Sequence, residues 1–383
     1  MRPFLEAVAK HRQAMLDFAC ELIAIPTENP PGNSYPTARQ ATLQRLHMLG
    51  FADTRTVGDC VMSFIGEPGP TVYFSGHYDV VPAQDPAQFE PSMKGANLFG
   101  RGSSDMKAGL AAMTYAAVAL RECGVPMNGR IGLVFVPDEE TAGSRGSRFL
   151  EAEGLLGEHA IAMLTPEPTG GLIWNANRGA ITLRVTVQGK TAHVGRQVEG
   201  VNAFEQMLTV AQAVMNLKSE VETRTTSYQI APDALRRSIL MLGGQCKSGN
   251  GFNVVPASCS FTIDRRINPE EDFEVEKGRL LELLSGTEIE ILQEGSAAGT
   301  PEDCPAGRAL ADAIHQVTGR EAKFELCPGL LETRFYASRG IPAFAFGPGL
   351  LTVSHGPNEF VPIDRVVECA AIYAGAAELL ERG

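Results

Sequence analysis

The sequence predicts an α/β protein into which a second, smaller α+β domain is inserted. Apolar runs such as residues 131–136 and 161–165 are typical of buried strands, and helical patterns lie between them. Further along the chain the strands alternate apolar and polar residues, and the first pattern returns near the C-terminal end. We therefore expect a first domain made of residues 1–178 and 295–383, with residues 179–294 inserted between its two parts.

The composition is that of a globular protein with an acidic surface. Of the 383 residues, 44% are hydrophobic and 20% are charged, and the formal net charge is −12. This charge argues against binding to nucleic acid or to an anionic membrane, and the chain lacks a run of about 18 apolar residues that would predict a transmembrane helix. The charged N-terminal stretch predicts an amphipathic helix, and eight cysteines without a C-x-x-C pair favour free thiols, buried in the fold of a cytoplasmic protein.

The first half of the chain leads to a strand that ends in two polar side chains. The elements predicted before that point are a helix at 1–25, a loop at 27–36, a helix at 37–49 and strands near 60–65 and 71–76. The proline-rich loop is either the wall of an active site or a plain connection. His77 and Asp79 follow the second strand two residues apart, so they share one side of it. An imidazole oriented by a carboxylate is a frequent metal ligand, and a histidine satisfied by solvent is the alternative.

Acidic residues follow the next predicted elements. Asp105 lies in the turn before a helix predicted over 106–121, where a carboxylate either is a plain N-cap of the helix or caps the helix and also bridges a metal site. Glu139 and Glu140 end one buried strand, and Glu167 ends the next. Carboxylates in such positions are costly unless a positive charge lies opposite them, although a solvated acidic turn is the alternative. Ligand-binding groups at the C-terminal ends of strands are the general rule for open α/β sheets.

The inserted stretch has the order β-α-β-β-α-β, which is typical of a ferredoxin-like fold. Its predicted elements are a strand at 180–188, a helix at 202–217, strands near 237–243 and 252–264, a helix at 270–285 and a strand at 288–293. After it, the predicted elements are helices at 306–318, 331–339 and 362–381 and strands at 322–327 and 341–346. His355 lies between the last strand and the last helix.

These polar residues form a set that suits two divalent transition-metal ions. The candidate ligands are two imidazoles and three carboxylates: His77, Asp105, Glu140, Glu167 and His355. Such a set favours zinc, with cobalt or manganese as alternatives. Two neighbouring ions need a shared ligand, which a carboxylate provides, and they activate the water that attacks the substrate. Glu139, the remaining acid, is then the natural general base.

Five motifs, in this order, carry a resemblance to a known family. SGHYDVVP, GRGSSDMKAGLAA, PDEETAGSRG, TPEPTG and SHGPNE resemble motifs of the co-catalytic zinc amidohydrolases, the family of acetylornithine deacetylase, succinyl-diaminopimelate desuccinylase, aminoacylase and glutamate carboxypeptidase (peptidase family M20). The resemblance spans nearly the whole chain and includes the insertion. It implies a three-layer catalytic domain like that of the zinc exopeptidases, with an inserted domain that acts as a lid and a dimer interface.

The resemblance also implies a role for each matched residue of the metal site. These roles are terminal ligand of one zinc ion for His77, its orienting acid for Asp79, bridging ligand for Asp105, general acid and base for Glu139, ligands of the second ion for Glu140 and His355, and remaining ligand of the first for Glu167.

Four further residues match substrate-contacting positions of the family. His193 resembles a histidine that reaches the active site of a neighbouring subunit and stabilises the oxyanion. Asn253 and Arg266 resemble substrate-binding residues, and Arg266 is preferred to Arg265 because it shares a strand face with Asp264. Arg334 resembles the arginine that receives the carboxylate of the substrate. The residues just before Arg334 are more apolar than in the family, which argues against a simple transfer of substrate specificity.

We therefore expect a cytoplasmic, homodimeric hydrolase that uses two metal ions to cleave the amide bond of an N-acyl amino acid. The attacking group would be a hydroxide held between two zinc ions. A dipeptidase or carboxypeptidase of the same family is the alternative. A metal-binding scaffold without catalytic activity is a more remote one, against which the retention of Glu139 argues.

Overall fold

The computed structural model describes residues 2–382, and the chain divides into two compact units. Unit 1 consists of Met1–Asn175, Gly299–Glu325 and Glu332–Gly383, and unit 2 consists of Ala176–Ala298 and Leu326–Leu331. The first is an α/β domain and the second an inserted α+β domain, so the predicted fold class is confirmed.

The helices and strands alternate along most of the chain. The α-helices are α1 (Arg2–Lys10), α2 (Arg12–Ile23), α3 (Tyr35–Met48), α4 (Lys107–Glu122), α5 (Ser147–Ala152), α6 (Ala203–Val221), α7 (Phe273–Leu283), α8 (Pro305–Thr318), α9 (Thr333–Ala337) and α10 (Ile363–Arg382). The strands are β1 (Asp53–Val57), β2 (Cys60–Gly66), β3 (Thr71–His77), β4 (Ser92–Lys94), β5 (Asn97–Phe99), β6 (Arg130–Val136), β7 (Ala160–Thr165), β8 (Ile173–Asn177), β9 (Gly179–Gln188), β10 (Ile239–Ser248), β11 (Ser258–Ile267), β12 (Glu288–Gly295), β13 (Ala298–Gly299), β14 (Phe324–Cys327), β15 (Ala343–Ala345) and β16 (Phe360–Pro362). Short 3-10 turns lie at Pro86–Phe89, Val194–Glu199 and Asp233–Arg236.

The central sheet of unit 1 has parallel strands at its middle. Its strand order runs β1, β2, β6, β3, β7, β15, β8, β13, and β14 also pairs with β8. Strand β3 pairs in parallel with both β6 and β7, and β15 pairs in parallel with β7. Strands β1 and β2 are antiparallel additions at one edge. The C-terminal ends of β3, β6 and β7 therefore lie side by side.

Helices cover both faces of this sheet, which explains its almost continuous apolar strands. Phe74 and Leu133 point into a core that also contains residues of α1, α2, α4, α8 and α10. Their chain neighbours Tyr73 and Val134 point the other way, into a core completed by α5 and α9. Successive residues of a strand thus enter opposite cores, and unit 1 has three layers.

Unit 2 has a four-stranded antiparallel sheet in the order β10, β11, β9, β12. Helices α6 and α7 contribute Met207, Val214 and Leu280 to its buried core, where they lie with Leu183 and Ile263 of the sheet. The strand and helix order agrees with the ferredoxin-like order that the sequence predicts.

Several boundaries differ from the sequence-based prediction. The N-terminal helix is interrupted at His11, because two successive amphipathic segments share one periodicity and the break between them leaves no sequence signal. Strand β11 begins at Ser258 rather than at residue 252, because the preceding stretch pairs instead with the loop at His193. Helix α9 is shorter than predicted. The sequence does not predict the short strands β1, β4, β5, β8, β13 and β16. All eight cysteines are free thiols, but only four of them are buried as predicted: Cys60, Cys259, Cys327 and Cys369. Cys246 is exposed, and the other three are partly buried.

Replacement of two helical glycines by alanine should have opposite effects on stability. A Cβ atom at Gly109 of α4 would lie 2.5 Å from Pro166 Cβ and 2.9 Å from Pro166 O, whereas a Cβ at Gly278 of α7 would meet no atom within 4 Å. We expect Gly109→Ala to lower the free energy of unfolding by about 1–3 kcal/mol because the close packing is disrupted. Gly278→Ala should raise it by roughly 0.5–1 kcal/mol because alanine loses less backbone entropy in a helix. Urea unfolding of both variants checks this, and a gain of stability in both would contradict the packing of α4 described here.

Candidate metal centre

The parallel strands bring polar residues together at one edge of the sheet. Strand β3 ends at His77, strand β6 is followed by Glu139 and Glu140, and strand β7 is followed by Glu167. Because β6, β3 and β7 are adjacent and parallel, these groups emerge at the same edge. A single apolar pattern, the buried strand, thus determines where four of the functional side chains lie.

Asp105 reaches this edge from a loop, not from a strand of the central sheet. Helix α4 begins at Lys107 with Met106 as its N-cap residue, and no side-chain hydrogen bond caps it. The N-cap role predicted for Asp105, alone or combined with metal binding, is therefore wrong. The carboxylate lies between two imidazoles instead, with Oδ1 3.3 Å from His77 Nε2 and Oδ2 3.4 Å from His355 Nε2.

The five candidate ligands fall into two groups that share Asp105. In each group the potential ligand atoms lie within 4.8 Å of one another, and the groups are His77, Asp105, Glu167 and Asp105, Glu140, His355. His355 Nε2 also lies 3.3 Å from Glu140 Oε2. The structure therefore brings together all five residues that the sequence predicts as ligands.

The electrostatics of this cluster fit a pair of bound cations. Glu167 Oε1 is buried and makes no hydrogen bond. Burial raises the pKa of Glu167 well above its usual value, and the charges of Asp105 and Glu139 add to that rise. Burial and the charge of Asp105 also raise the pKa of Glu140. Imidazole nitrogens and carboxylate oxygens are the ligands of zinc and related ions, so divalent cations would relieve this repulsion.

Glu139 belongs to neither group of ligands. Its side chain is 14% exposed, and its Oε2 lies 3.9 Å from His77 Nε2, too far for a hydrogen bond. Burial raises the pKa of this carboxyl to about 8; His77 opposes the rise, while Glu140 and Glu332 add to it. A carboxyl group of this kind, beside the ligands but outside both groups, has the properties of a general acid and base.

Asp79 connects His77 to the loop after β6. Its Oδ1 lies 3.4 Å from His77 Nδ1, which also contacts the carbonyl oxygen of Asp79 at 3.0 Å. Asp79 Oδ1 and Oδ2 accept hydrogen bonds from the backbone N–H groups of Glu139 and Glu140, both at 3.2 Å. The carboxylate therefore fixes two loops at once, in line with the orienting role predicted for it.

Sequence analysis missed two residues that support the site. Asn29 Nδ2 donates a hydrogen bond to Asp79 Oδ2 at 2.9 Å, so the proline-rich loop forms part of the wall of the site. Glu359, the last residue of the SHGPNE motif, contacts the loop that carries Asp105. The position of Asn29 in a rigid proline-rich loop is a signal for the first, and the place of Glu359 in the SHGPNE motif is a signal for the second.

Arg334 is the one predicted substrate-binding residue in unit 1. It lies in α9, is 5% exposed, and packs with its Cζ 4.1 Å from the centre of the Phe335 ring. Burial lowers the pKa of this guanidinium, and the negative charges of Glu332 and Glu139 oppose the decrease. The positive charge of Arg334 therefore interacts with the negative charge of Glu139.

The other three predicted residues belong to unit 2, whereas all five candidate ligands belong to unit 1. His193 and Asn253 lie on two adjacent loops, which are joined by a hydrogen bond of 3.0 Å from Val194 N to Asn253 O. Arg266 forms hydrogen bonds of 2.6 and 2.9 Å to Asp264, while Arg265 is buried on the opposite face of the strand. The predicted strand alternation is therefore observed, and the substrate-binding roles of these residues stay predictions.

Two imidazoles and three carboxylates, one of which belongs to both ligand groups, with a further acid beside them, are typical of one class of protein, the hydrolases that use two metal ions. Comparison of the sequence with known protein families identifies the family within this class. The sequence profile of peptidase family M20/M25/M40 matches residues 73–379. The chain belongs to this family, and it is a metal-dependent hydrolase of peptide or amide bonds.

Solved structures of the same family share the fold over the whole chain. The dipeptidase Dug1p from Saccharomyces cerevisiae is 14% identical, with a TM-score of 0.78 over 100% of this chain and 98% of that one. The metallo-carboxypeptidase Sso-CP2 from Sulfolobus solfataricus is 17% identical, with a TM-score of 0.78 over 96% and 99%. YxeP from Bacillus subtilis, a dinuclear metal-binding peptidase, is 14% identical, with a TM-score of 0.68 over 98% and 99%. In the part of the chain that the structure describes, no helix has both the length and the hydrophobicity needed to span a membrane.

Metal content tests the shared role of Asp105. We expect the protein to bind two divalent ions per chain. His355→Ala and Glu167→Gln should each retain about one, and Asp105→Asn should bind both weakly because it alters a ligand that the two ions share. Elemental analysis after dialysis measures this, with Asp364→Asn as a matched control because Asp364 is 83% exposed. One retained ion in Asp105→Asn would contradict the bridging position.

Proposed function

We propose that the chain is a two-zinc amidohydrolase that releases an amino acid with a free α-carboxylate from its N-acyl derivative. The observation that carries this proposal is the pair of ligand groups sharing Asp105, with the carboxyl of Glu139 beside both and part of neither. A protein that only bound metal would have no use for a further acid in that position. Cobalt or manganese suits the same ligands.

The chemistry divides between the bound ions and the side chains. Two ions held by the five ligands would polarise the carbonyl group of the substrate and lower the pKa of the attacking water. Glu139 takes a proton from that water as the new C–O bond forms. It then gives the proton to the amine nitrogen as the C–N bond breaks. Asp79 accepts hydrogen bonds from the backbone N–H groups of Glu139 and Glu140 and so fixes the position of the base relative to the neighbouring ligand.

The residues that match substrate-contacting positions of the family would bind the substrate. Arg334 is proposed to receive the α-carboxylate, because a guanidinium binds a carboxylate through two hydrogen bonds. Asn253 and Arg266 would contact the substrate, and His193 of a second chain would stabilise the oxyanion. The chain would act in the cytoplasm as a homodimer formed through the inserted domain. The exposed apolar residues Phe204, Leu208 and Met215 on α6 support the dimer.

A dipeptidase or carboxypeptidase is the second candidate. The structural similarity to Dug1p and to human carnosine dipeptidase 1 favours it. Both candidates need the same metal centre and a carboxylate-binding arginine, so the two differ only in whether the scissile amide follows an acyl group or an aminoacyl group. Initial rates on matched N-formyl, N-acetyl, N-succinyl and aminoacyl derivatives of one amino acid distinguish them. Faster cleavage of the aminoacyl compounds would overturn the deacylase proposal.

Two adjacent glutamates should respond differently to the same substitution. Glu139→Gln should retain both ions and lose at least about 100-fold in kcat, because an amide cannot carry the proton. Glu140→Gln should bind the second ion more weakly, because it loses a charged ligand. Metal content and kcat, measured on both variants at saturating zinc, check the division of roles. Full activity in Glu139→Gln would contradict the proposed mechanism.

Arg334→Lys tests recognition of the α-carboxylate. Lysine keeps the positive charge but not the two-point geometry, so kcat/KM should fall roughly 100-fold, equivalent to about 3 kcal/mol, for a substrate with a free carboxylate. The corresponding carboxamide substrate should be affected much less. Arg320→Lys, at an exposed position, serves as the control. Equal losses on both substrates would indicate a structural effect and contradict the assigned contact.

A further inference from the structure

Glu359 and Arg101 form a buried ion pair beside the candidate ligands. Glu359 Oε1 accepts three backbone hydrogen bonds, from the N–H groups of Gly102, Ser104 and Asp105, at 3.0, 2.9 and 3.1 Å. Its other oxygen, Oε2, lies 2.7 Å from Arg101 Nη1. Both side chains are 1% exposed. One carboxylate thus holds the whole loop that presents Asp105.

Arg101 extends this contact to a second ligand. Its Nη2 donates a hydrogen bond to the backbone carbonyl oxygen of His355 at 3.3 Å. The imidazole of His355 is 51% exposed, so few side-chain contacts restrain it. His355 also has a positive φ of 65°, a conformation that non-glycine residues seldom adopt without support. The guanidinium therefore joins the loop of Asp105 to the loop of His355.

The local backbone requires a charged acceptor at this place. Gly102 has φ +84°, and a Cβ atom there would lie 2.8 Å from Val80 Cγ1. This turn directs three N–H groups toward one point, an arrangement that binds an anion. A neutral acceptor would satisfy these N–H groups less well and would leave the guanidinium of Arg101 without a countercharge.

We propose that Glu359 and Arg101 are positioning residues that fix His355 relative to Asp105 and thereby set the affinity for the second metal ion. The inference rests on the metal centre of the proposed function. Asp105 is shared by both ions, but His355 belongs to the second group only. Loss of the ion pair should therefore weaken binding of the second ion more than that of the first.

Glu359→Gln and Arg101→Lys test this assignment. Glutamine keeps the size of the side chain but places an NH₂ group opposite either Arg101 or the three N–H groups. Lysine keeps the charge but lacks the fork that joins Glu359 to His355. The control is Glu276→Gln, which removes one partner of another buried pair, with Glu276 Oε2 2.8 Å from Arg265 Nη2. That pair lies in unit 2, which holds none of the five candidate ligands.

Stepwise titration of the metal-free proteins with Co²⁺ gives both dissociation constants and the visible spectrum of each site. In Glu359→Gln and Arg101→Lys, we expect the dissociation constant of the second ion to rise about 10–100-fold, the typical effect of altering a residue that orients a ligand. The visible absorption band of Co²⁺ at the second site should shift. The dissociation constant of the first ion should change less than that of the second. Glu276→Gln should lower the melting temperature of the metal-free protein and change neither constant.

The possible results separate this inference from the proposed function. Unchanged binding of the second ion in both variants, or equal weakening of both ions, would overturn the positioning role alone. A wild-type protein that binds fewer than two ions would overturn the metal centre and this inference with it. If Glu359→Gln does not fold, Arg101→Lys carries the test, because it preserves the balance of charge.

Discussion

A cluster of four carboxyl groups at one edge of the sheet is the constraint on which the rest of unit 1 depends. Asp105, Glu139, Glu140 and Glu167 lie within a largely buried region together with two histidines. Such a concentration of like charge opposes folding unless protons or cations neutralise it. The structure brings these groups together instead of dispersing them. Their convergence therefore points to bound cations and to chemistry rather than to stability.

Two further carboxylates hold this cluster in place through the backbone. Asp79 accepts hydrogen bonds from the N–H groups of Glu139 and Glu140, and Glu359 accepts them from the loop that ends at Asp105. Both act at the segments that carry ligands, where no regular strand or helix restrains the chain. A negative charge bound by several N–H groups costs less to bury than one without partners. The site thus contains two kinds of carboxylate. Some belong to the candidate ligand groups and would bind a cation, whereas Asp79 and Glu359 already accept hydrogen bonds from backbone N–H groups.

The candidate ligands could be predicted from the sequence because buried strands have a strongly apolar pattern. Strand β6 is apolar on both sides, so the acids that follow it were conspicuous, and the same applies to Glu167 after β7. The contacts of Glu359 left no such pattern, because they join residues about 250 positions apart through backbone N–H groups that every residue type carries. The break at His11 was missed for a related reason, since periodicity reports which face is apolar and not where one helix stops. Local sequence patterns therefore predict the layers of the fold and the candidate ligands. They do not predict the long-range hydrogen bonds that hold the ligand-bearing loops.

The contrast between Glu139 and Glu140 shows how one turn can supply both the ligand and the base that we propose. Glu140 Oε1 accepts a hydrogen bond from Val81 N at 3.2 Å, and its Oε2 faces His355, so both oxygens have fixed neighbours. Glu139, one residue earlier, is displaced from both ligand groups and stays 14% exposed, open to water. Adjacent side chains in a tight turn point in different directions, and Asp79 holds the backbone of both. A shift of this turn by one residue would put Glu139 in the place of Glu140 and Asp138 in the place of Glu139, so the proposed division between metal binding and proton transfer depends on the backbone position that Asp79 fixes.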